Sequence, residues 1–234
     1  MKIVPETANL FRLTQFNMFN CFLLKEANEL TLIDTNFPGS SDAMLRAAAS
    51  FGLPITTIAL THAHFDHVGS LDVLAQALPN ATIMIGEREQ RLLRGNFSLD
   101  PGETGKPLLG FKLVRSSVHR VLSDGDQVGS LRVVACPGHT PGHIAYLDVR
   151  DNSLIAGDSY ITQKGVIAAG VYSFFFPMPA WFSWNCAQAA VSAAKLAALQ
   201  PSLLAVGHGP SVASPSTQMA QAAQLALKQN PAPT

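Results

Sequence analysis

The chain of 234 residues, with 47% hydrophobic and 14% charged residues, is long enough to bury a sizeable core in one large domain or two small ones. We expect a single domain over residues 1–234. Lys plus Arg and Asp plus Glu both number 16, and this neutral balance without a polybasic segment excludes the electrostatic footprint of a protein that binds nucleic acid or anionic lipid. The N-terminus is polar where a signal peptide needs an apolar core, so we expect no signal peptide. No run of about 18 apolar residues suggests a membrane span. Three widely spaced cysteines, Cys21, Cys136 and Cys186, indicate reduced thiols in a cytoplasmic protein.

Strands and helices alternate in the part of the chain before residue 94. Hydrophobic alternation predicts the strands, and Ser, Gly and Pro mark the helix boundaries. Strands are expected over 10–16, 20–24, 30–33, 55–60 and 82–85. Helices are expected from about Ala43 to Phe51, capped by Ser40 or Ser41, and over 71–78. Such alternation is typical of an α/β layered domain.

Glycine and proline recur through residues 94–117, which predicts a long irregular connection of the kind that is often functional or mobile. Whether this connection covers a binding site is left open. A meander of strands is predicted beyond it, followed by an Ala-rich helix, a strand and a last helix. The expected ranges are 118–122, 127–128, 131–135, 144–148 and 153–156 for the meander, then 185–199, 203–206 and 216–228.

Three histidines and an aspartate fall within six positions directly after the predicted strand 55–60. They are His62, His64, Asp66 and His67. Neutral imidazole and carboxylate are the usual ligands of a borderline-soft divalent metal such as zinc. A single histidine would more often be an ordinary core or surface residue. Four desolvated polar groups at the end of an apolar strand need a partner, which favours a metal-binding loop.

Three further groups, His139, Asp158 and His208, follow predicted strands in glycine-rich loops. Glycine and proline let the backbone turn sharply and approach a ligand closely. Each residue alone could be a loop-capping aspartate or an exposed histidine. Strand ends that converge at one sheet edge would bring all three to the histidine cluster, and their joint occurrence favours that interpretation. Cys136, close to His139, is the only cysteine that such a site could recruit.

The order and approximate spacing of these groups resemble the metallo-β-lactamase-fold hydrolase superfamily. The matching motif is His62-x-His64-x-Asp66-His67 followed by His139, Asp158 and His208, and Asp34 at the end of an early strand matches a further element. The resemblance runs from about Phe22 to Pro210, which is nearly the whole chain. It implies an α/β fold, a four-layer αβ/βα sandwich, with the site at one edge.

The resemblance also implies a site for two divalent metal ions. One ion would be held by His62, His64 and His139, the second by Asp66, His67 and His208, and Asp158 would bridge the two. Zinc is the default ion, while iron, manganese and cobalt suit the same nitrogen and oxygen ligands. Two such ions share a water and lower its pKa, so that the bridging hydroxide attacks an electrophilic carbon or phosphorus.

Other residues are implied as catalytic or supporting groups. Asp66 is the expected proton shuttle as well as a ligand. Asp34 and Thr61 are expected to hydrogen-bond to ligating imidazoles and so to fix their tautomers. His143 either orients His139, contacts the substrate or is purely structural.

Several residues match some branches of the superfamily and not others, which narrows the range of expected reactions. Asp158 favours a resemblance to glyoxalase II and to N-acyl-homoserine lactonases over β-lactamase classes that lack a bridging aspartate, and His64 argues against the flavodiiron branch. The single helix predicted after His208 weakens the likeness to glyoxalase II, which carries an extra C-terminal helical region. Lactonases place a tyrosine three residues after the bridging aspartate, whereas Tyr160 stands two after it. Despite this offset of one residue, Tyr160 and Tyr172 are the two candidates for a catalytic oxyanion donor.

An aromatic segment, residues 170–184, contains both tryptophans of the chain. Pro177 and Pro179 prevent a regular helix there. Near the mouth of the implied site, such a wall would suit an apolar acyl or aromatic substrate. The predicted substrate-binding residues are Tyr172, Phe174, Phe175, Phe176, Met178, Trp181 and Phe182. The same side chains could instead be buried against the Ala-rich helix or against a second subunit in a homodimer.

These observations favour a dinuclear metal-dependent hydrolase acting on a small molecule, namely a lactone, ester or similar acyl compound with an apolar portion. The first alternative is a β-lactam or thioester hydrolase that uses the same chemistry. An alternative of another class is a mononuclear-iron sulfur dioxygenase, which shares much of the ligand set. A non-catalytic protein with a structural metal is disfavoured, because structural zinc needs only four closed ligands.

Overall fold

The computed structural model describes residues 1–172 and 178–231. The chain divides into two compact units, Met1–Gly95 with Phe111–Leu122 and Asn96–Gly110 with Ser123–Thr234. The expectation of a single domain over 1–234 stays a prediction. None of the helices in the described part of the chain is both long and apolar enough to span a bilayer.

The first unit is built on a seven-stranded sheet with four helices. The strands are β1 Lys2–Pro5, β2 Leu10–Gln15, β3 Phe19–Lys25, β4 Leu30–Ile33, β5 Ile55–Ala59, β6 Thr82–Gly86 and β7 Arg120–Leu122. The helices are α1 Ser41–Ala49, α2 Phe65–Val68, α3 Leu71–Ala77 and α4 Glu87–Leu93. The strands lie in sequence order, with β1 to β4 antiparallel and β4 to β7 parallel.

The parallel part of this sheet brings two functional loops to one edge. β4 is buried along its whole length, as expected for an interior strand in the parallel part of a sheet. It runs parallel to β5 with Ile33 opposite Ala59. Asp34 and Thr61, which follow these strands, therefore leave the sheet on the same side.

In its described residues, the second unit contains a six-stranded sheet, a two-stranded ribbon and three helices. The strands are β8 Gln127–Val128, β9 Leu131–Ala135, β10 Ile144–Asp148, β11 Ser153–Ile155, β12 Tyr160–Ile161, β13 Ile167–Ala168, β14 Leu203–Ala205 and β15 Val212–Ala213. The helices are α5 Met178–Trp181, α6 Cys186–Ala197 and α7 Ser216–Gln229. The sheet order is β15-β14-β11-β10-β9-β8, and β12 pairs with β13 to form the ribbon.

Helices α6 and α7 pack on the six-stranded sheet through faces rich in alanine. Ala190 and Ala193 of α6 share one buried apolar cluster with Leu154 and Leu204 of the sheet. Alanine brings a helix close to its neighbours and has the highest helix propensity. The side chain of Asn185 caps α6 by accepting a hydrogen bond from the N–H of Gln188.

Most predicted elements are confirmed within one or two residues at their ends. One correction concerns the strand predicted at 118–122: β7 pairs in parallel with β6, so it belongs to the first sheet and not to the meander. The meander also ends at β11, which pairs in parallel with β14. The irregular connection is confirmed, since no helix or strand lies between α4 and β7, a stretch that is described throughout. The sequence analysis missed β1, α2, α4, β12, β13, α5 and β15.

Candidate metal centre

The histidine loop of the first unit leaves the sheet after β5 and turns into the short helix α2. His62, His64 and His67 are buried, and Asp66 is partly buried. The Nε2 atom of His62 lies 3.1 Å from the Nδ1 atom of His64. The Nε2 atom of His67 lies 4.0 Å from Oδ2 of Asp66. The imidazole nitrogens of His62 and His64 therefore lie close together within one loop, and so do the side chains of His67 and Asp66, as expected of metal ligands.

Asp34 anchors this loop from the end of β4. Its carboxylate is buried, and its backbone adopts the left-handed conformation with φ +60°. Oδ1 accepts a hydrogen bond from the N–H of Thr61 at 2.8 Å, and Oδ2 accepts from the hydroxyl of Thr61 at 2.8 Å. The same Oδ2 lies 2.8 Å from Nδ1 of His67. One carboxylate thus contacts both the start of the loop and its last histidine.

These contacts determine the tautomers of two imidazoles. An ionised carboxylate only accepts hydrogen bonds, so Thr61 and Nδ1 of His67 both donate to Asp34. The single hydroxyl proton of Thr61 is then committed, and its 3.0 Å contact with Nδ1 of His62 has to be donated by the imidazole. His62 and His67 therefore carry their protons on Nδ1 and their lone pairs on Nε2, the tautomer that ligates a metal through Nε2.

Glu89 of α4 also holds the loop, and the sequence analysis missed it. Its side chain is fully buried, and Oε2 accepts a hydrogen bond from the N–H of Ala63 at 2.8 Å. Ala63 stands between His62 and His64, so this bond fixes the backbone between two candidate ligands. A buried carboxylate needs such donors. The charged sequence of α4 gave no periodic signal that could have revealed it.

Asp158 is the centre of the corresponding group in the second unit. Its Oδ2 atom lies 3.0 Å from Nε2 of His208 and 3.5 Å from Nε2 of His139. Asp158 and His208 are brought together by the parallel pair β11 and β14, in which Ile155 lies opposite Ala205. Each of the two residues stands at the same distance along the chain beyond its strand, so they meet at the same sheet edge.

The loop that carries His139 is fixed by Gly138 and Ser183. Gly138 has φ +133°, and a Cβ there would lie 2.1 Å from the backbone nitrogen of Ala189, so only glycine lets the loop pack on α6. The hydroxyl of Ser183 donates to the carbonyl of Pro179 at 2.5 Å. Its 3.4 Å contact with Nδ1 of His139 is therefore donated by the imidazole, which directs the Nε2 lone pair towards Asp158. No pattern in the sequence predicts the role of Ser183.

His143 contacts the main chain of Asp158, and its ring also lies edge-on to that of His139. Its Nε2 atom accepts a hydrogen bond from the N–H of Asp158 at 3.1 Å, so its proton lies on Nδ1. Nδ1 faces Sγ of Cys136 at 3.2 Å and the hydroxyl of Ser159 at 3.3 Å. Burial raises the pKa of the Cys136 thiol to about 12, so that Cys136 is a neutral neighbour of His143.

Tyr160, one of the two candidate oxyanion donors, is placed in the core. It is fully buried, and its hydroxyl donates to the carbonyl of Ala193 in α6 at 2.7 Å. Burial also raises the pKa of the phenol. The prediction of a catalytic role for Tyr160 is therefore wrong, because its only donor is committed to the main chain of the core helix.

The predicted aromatic wall lies partly outside the described residues. Phe174, Phe175 and Phe176 fall there, and Met178 is described only by its backbone. Tyr172, Trp181 and Phe182 have exposed fractions of 54%, 61% and 39%. The alternative that the wall packs into the core against the Ala-rich helix is thus wrong for these three residues. Their role in substrate binding stays a prediction.

Comparison with known protein families identifies the fold. The model of the metallo-beta-lactamase superfamily matches residues 16–208. The chain belongs to this superfamily. For a metallo-β-lactamase superfamily member, the buried His/Asp groups of both units are the expected class of metal ligand, and the predicted general class of metal-dependent hydrolase is supported.

Several relatives of this metallo-β-lactamase superfamily chain come from bacteria. The chain is similar to the uncharacterized protein YobT of Bacillus subtilis (strain 168), with 46% identity over 211 residues covering 89% of this chain and 91% of YobT. The probable metallo-hydrolase YflN of the same organism is 30% identical, covering 82% of this chain and 80% of YflN. A hydroxyacylglutathione hydrolase of Aeromonas hydrophila is 32% identical over 137 residues, which are 56% of this chain and 43% of that protein.

Solved structures confirm the α/β metallo-β-lactamase fold. BJP-1, a subclass B3 metallo-beta-lactamase of Bradyrhizobium japonicum, superposes with a TM-score of 0.66 at 21% identity, covering 98% of this chain and 92% of BJP-1. TTHA1623 in a di-iron-bound form gives a TM-score of 0.65 at 24% identity, covering 93% of this chain and 96% of TTHA1623. Each unit of the chain contributes one main sheet with its helices, as the two αβ halves of the predicted sandwich require.

Proposed function

We propose that the chain is a dinuclear metal-dependent hydrolase that cleaves a lactone, ester or similar acyl bond in a small substrate with an apolar portion. The observation that carries the proposal is the fixed orientation of the imidazoles. Thr61 accepts the Nδ1 proton of His62, Asp34 accepts that of His67, and Ser183 accepts that of His139. Imidazoles locked in this tautomer are prepared to bind a metal through Nε2.

The assignment of ligands to two ions follows the order of the motif and membership of the superfamily. One ion is proposed to be held by His62, His64 and His139, the other by Asp66, His67 and His208, and Asp158 is proposed to contact both. All donors are imidazole nitrogens and carboxylate oxygens, which suits zinc and also iron, manganese or cobalt. The tautomers deduced above fit this use, because each leaves a ring nitrogen with a lone pair for the ion.

When bound, two divalent ions supply Lewis acidity and lower the pKa of a water to near neutrality. The residues of the chain prepare and complete the reaction. Glu89 keeps the backbone between His62 and His64 in place, and His143 does the same for Asp158. Asp66, which is partly exposed, is proposed to accept the proton of the attacking water and to deliver it to the leaving group.

A thioester is the second candidate for the scissile bond. The observation in its favour is the similarity to a hydroxyacylglutathione hydrolase, which is 32% identical to this chain over 137 residues. A thioester and an ester differ in the leaving group and present the same carbonyl to the attacking water. The same residues would therefore serve either substrate, and only measured rates separate the two.

The test is a comparison of initial rates on protein loaded with zinc. The substrates are long-chain and short-chain acyl lactones, a simple ester, a glutathione thioester and a β-lactam. We expect lactones or esters to be cleaved fastest, and a clear preference for the thioester or the β-lactam would replace this substrate class while leaving the metal chemistry intact. If no substrate is hydrolysed by fully metallated protein, the hydrolase proposal is wrong.

A matched pair of variants tests the ligand assignment in the same assay. Asp158→Asn keeps the size of the side chain and removes its charge, so we expect it to lower both metal content and kcat. Asp42→Asn, at an exposed position of α1, makes the same chemical change outside the site and should alter neither. Full turnover by a folded Asp158→Asn variant with its normal metal content would contradict the role of Asp158.

A further inference from the structure

The second unit contains a cavity of about 670 Å³ beside the N-terminus of α6. This volume lies in the range typical of small-molecule sites. Six of its lining residues carry the argument: Lys106, Tyr172, Trp181, Trp184, Asn185 and Cys186. None of them belongs to the candidate metal ligands, and only Tyr172 and Trp181 were predicted from the sequence to contact substrate.

The wall of the cavity is built by a clamp between residues 104–106 and residues 184–185. The N–H of Lys106 donates to the carbonyl of Trp184 at 2.7 Å, and the side chain of Asn185 donates to the carbonyl of Thr104 at 2.7 Å. Gly105 lies flat on the indole of Trp184, where a Cβ would come within 2.3 Å of Nε1. The irregular connection therefore supplies a lysine at a defined place rather than on a loose loop.

One strong hydrogen-bond donor, the ammonium of Lys106, lines the cavity. Lys106 Nζ donates to the carbonyl of Ala180 at 2.6 Å and lies 3.3 Å from Sγ of Cys186. An ammonium has three N–H groups, so a further donor is available to a ligand. Trp184 is only 4% exposed, and its indole N–H is buried against Gly105, so Trp184 contributes an apolar wall rather than a second donor.

The charge of the cavity favours an anion. Lys106 is the one charged side chain among the described lining residues, and no carboxylate accompanies it. Asn185 and Cys186 begin the twelve-residue helix α6, whose dipole adds positive potential at this end. An ammonium next to an apolar surface is suited to a carboxylate attached to a hydrocarbon chain.

The cavity is connected to a metal-ligand loop through the chain itself. The N–H of Trp184 donates to the carbonyl of His139 at 2.9 Å, and the N–H of Asn185 donates to the carbonyl of Gly138 at 2.9 Å. Ser183, the residue before Trp184, contacts Nδ1 of His139. A ligand in the cavity is thus bound by the same short segment that orients one of the candidate metal ligands.

We propose that this cavity binds the free carboxylate of an acyl substrate, at the end remote from the scissile bond. Lys106 binds the carboxylate, and Tyr172 and Trp181 cover the hydrocarbon chain. This inference rests on the proposed acyl hydrolase function and deepens it: the substrate is an anionic acyl compound, such as the monoester of a short dicarboxylic acid, rather than a neutral one.

A binding experiment tests the cavity without any turnover. Both tryptophans of the chain line it, so intrinsic fluorescence reports its occupancy. We expect glutarate to change the fluorescence of the metal-loaded protein and glutaramide to have little effect. Lys106→Met should weaken glutarate binding by about ten- to a hundredfold, as expected for loss of a charge-assisted hydrogen bond, and Lys106→Arg should weaken it less.

Two controls separate the cavity from other effects. Lys2→Met removes the same charge from the exposed strand β1 and should leave glutarate binding unchanged. Alkylation of Cys186 by iodoacetamide should be slowed by glutarate, since Cys186 is the partly exposed thiol of the cavity while Cys21 and Cys136 are buried. Equal binding of glutarate by the wild type and by a folded Lys106→Met variant would overturn the proposal.

An activity arm distinguishes this inference from the function on which it rests. We expect kcat/KM to be higher for a monoester of glutaric acid than for the pentanoate ester of the same alcohol, and Lys106→Met should remove that preference mainly through KM. If both esters are cleaved equally and Lys106→Met changes neither, the cavity assignment is wrong and the hydrolase stands. If glutarate binds in a Lys106-dependent manner but no ester is cleaved, the proposed function is wrong and the anion site stands.

Discussion

Asp34 sets the proton positions of two imidazoles in the first unit, one directly and one through Thr61. Asp34 adopts the left-handed conformation, which aspartate enters more readily than most residues other than glycine but which still needs local contacts to hold it. The three donors that converge on its carboxylate supply that restraint. In the second unit, Ser183 contacts the imidazole of His139, and His143 contacts the main chain of Asp158. The candidate ligands of each unit are thus oriented by hydrogen bonds within that unit.

At the residue scale, Tyr160→Phe separates a structural role from a catalytic one. The change removes the hydroxyl that donates to the carbonyl of Ala193, and we expect the free energy of unfolding to fall by about 1 kcal/mol with kcat unchanged. Urea unfolding and initial rates measure the two quantities. An oxyanion donor would instead show a fall of about 10²- to 10³-fold in kcat.

Tyr172→Phe is the companion variant. Tyr172 is 54% exposed, so loss of its hydroxyl should leave stability unchanged. A large loss of kcat in Tyr160→Phe would restore the role that the sequence suggested. A large loss in Tyr172→Phe alone would assign that role to the other tyrosine.

The ligands could be predicted from the sequence because their signal is local. His62, Asp158 and His208 each follow an apolar strand in a loop with glycine nearby, and the motif order supplied the rest. Glu89 and Ser183 could not be predicted, since each acts across a fold contact on a residue far away in sequence. A single buried glutamate or serine has no pattern that distinguishes it from a surface residue before the partner is known.

At the element scale, strand pairing decides which side chains meet. Parallel pairing of β11 with β14 brings Asp158 to His208, and parallel pairing of β4 with β5 brings Asp34 to Thr61. The sequence predicted these strands but not all their partners, as the error over β7 shows. Alternation of apolar residues reveals that a strand is half or fully buried, whereas the choice of neighbour depends on residues elsewhere in the sheet.

One carboxylate of α3 helps to attach the end of the irregular connection, together with the guanidinium of Arg94, which donates to the carbonyls of Val114, Arg115 and Ser116. Asp72 accepts hydrogen bonds from the N–H groups of Arg115 and Ser116 and from the hydroxyl of Ser116. Partial burial acts to raise the pKa of Asp72, but these bonds and the nearby Lys112 outweigh it, so the folded pKa lies below the usual carboxyl value. The stabilisation is therefore present above the unfolded pKa and is lost as the pH falls through the folded pKa.

We predict that acid releases this attachment before the sheet unfolds. The amide signals of Arg115 and Ser116 in NMR spectra should shift as the pH falls through the folded pKa of Asp72, while those of β4 and β5 stay unchanged. Asp72→Asn cannot titrate and should remove this pH dependence, whereas Asp42→Asn in α1 should preserve it. A transition that persists in Asp72→Asn would assign the effect to another group.

At the scale of the whole molecule, the proposed ligands come from both compact units: His62, His64, Asp66 and His67 from the first and His139, Asp158 and His208 from the second. Metal that binds the native state and not the unfolded chain stabilises the native state by mass action, by about 2.7 kcal/mol at a free metal concentration of about 100 times Kd. We therefore predict that a chelator lowers Tm and that added zinc restores it. The decisive comparison uses one variant from each unit, because a site confined to one unit would be insensitive to the other.

His64→Ala in the first unit and His208→Ala in the second should each reduce the gain in Tm that zinc produces, measured by calorimetry at equal metal and protein concentrations. His119→Ala is the matched control, because His119 contacts the main chain of Ile83 in the sheet and is not a proposed ligand. His119→Ala should lower Tm both with and without zinc, while the increase in Tm that zinc produces stays the same. A gain that survives intact in His64→Ala or in His208→Ala would contradict the assignment of that histidine as a metal ligand.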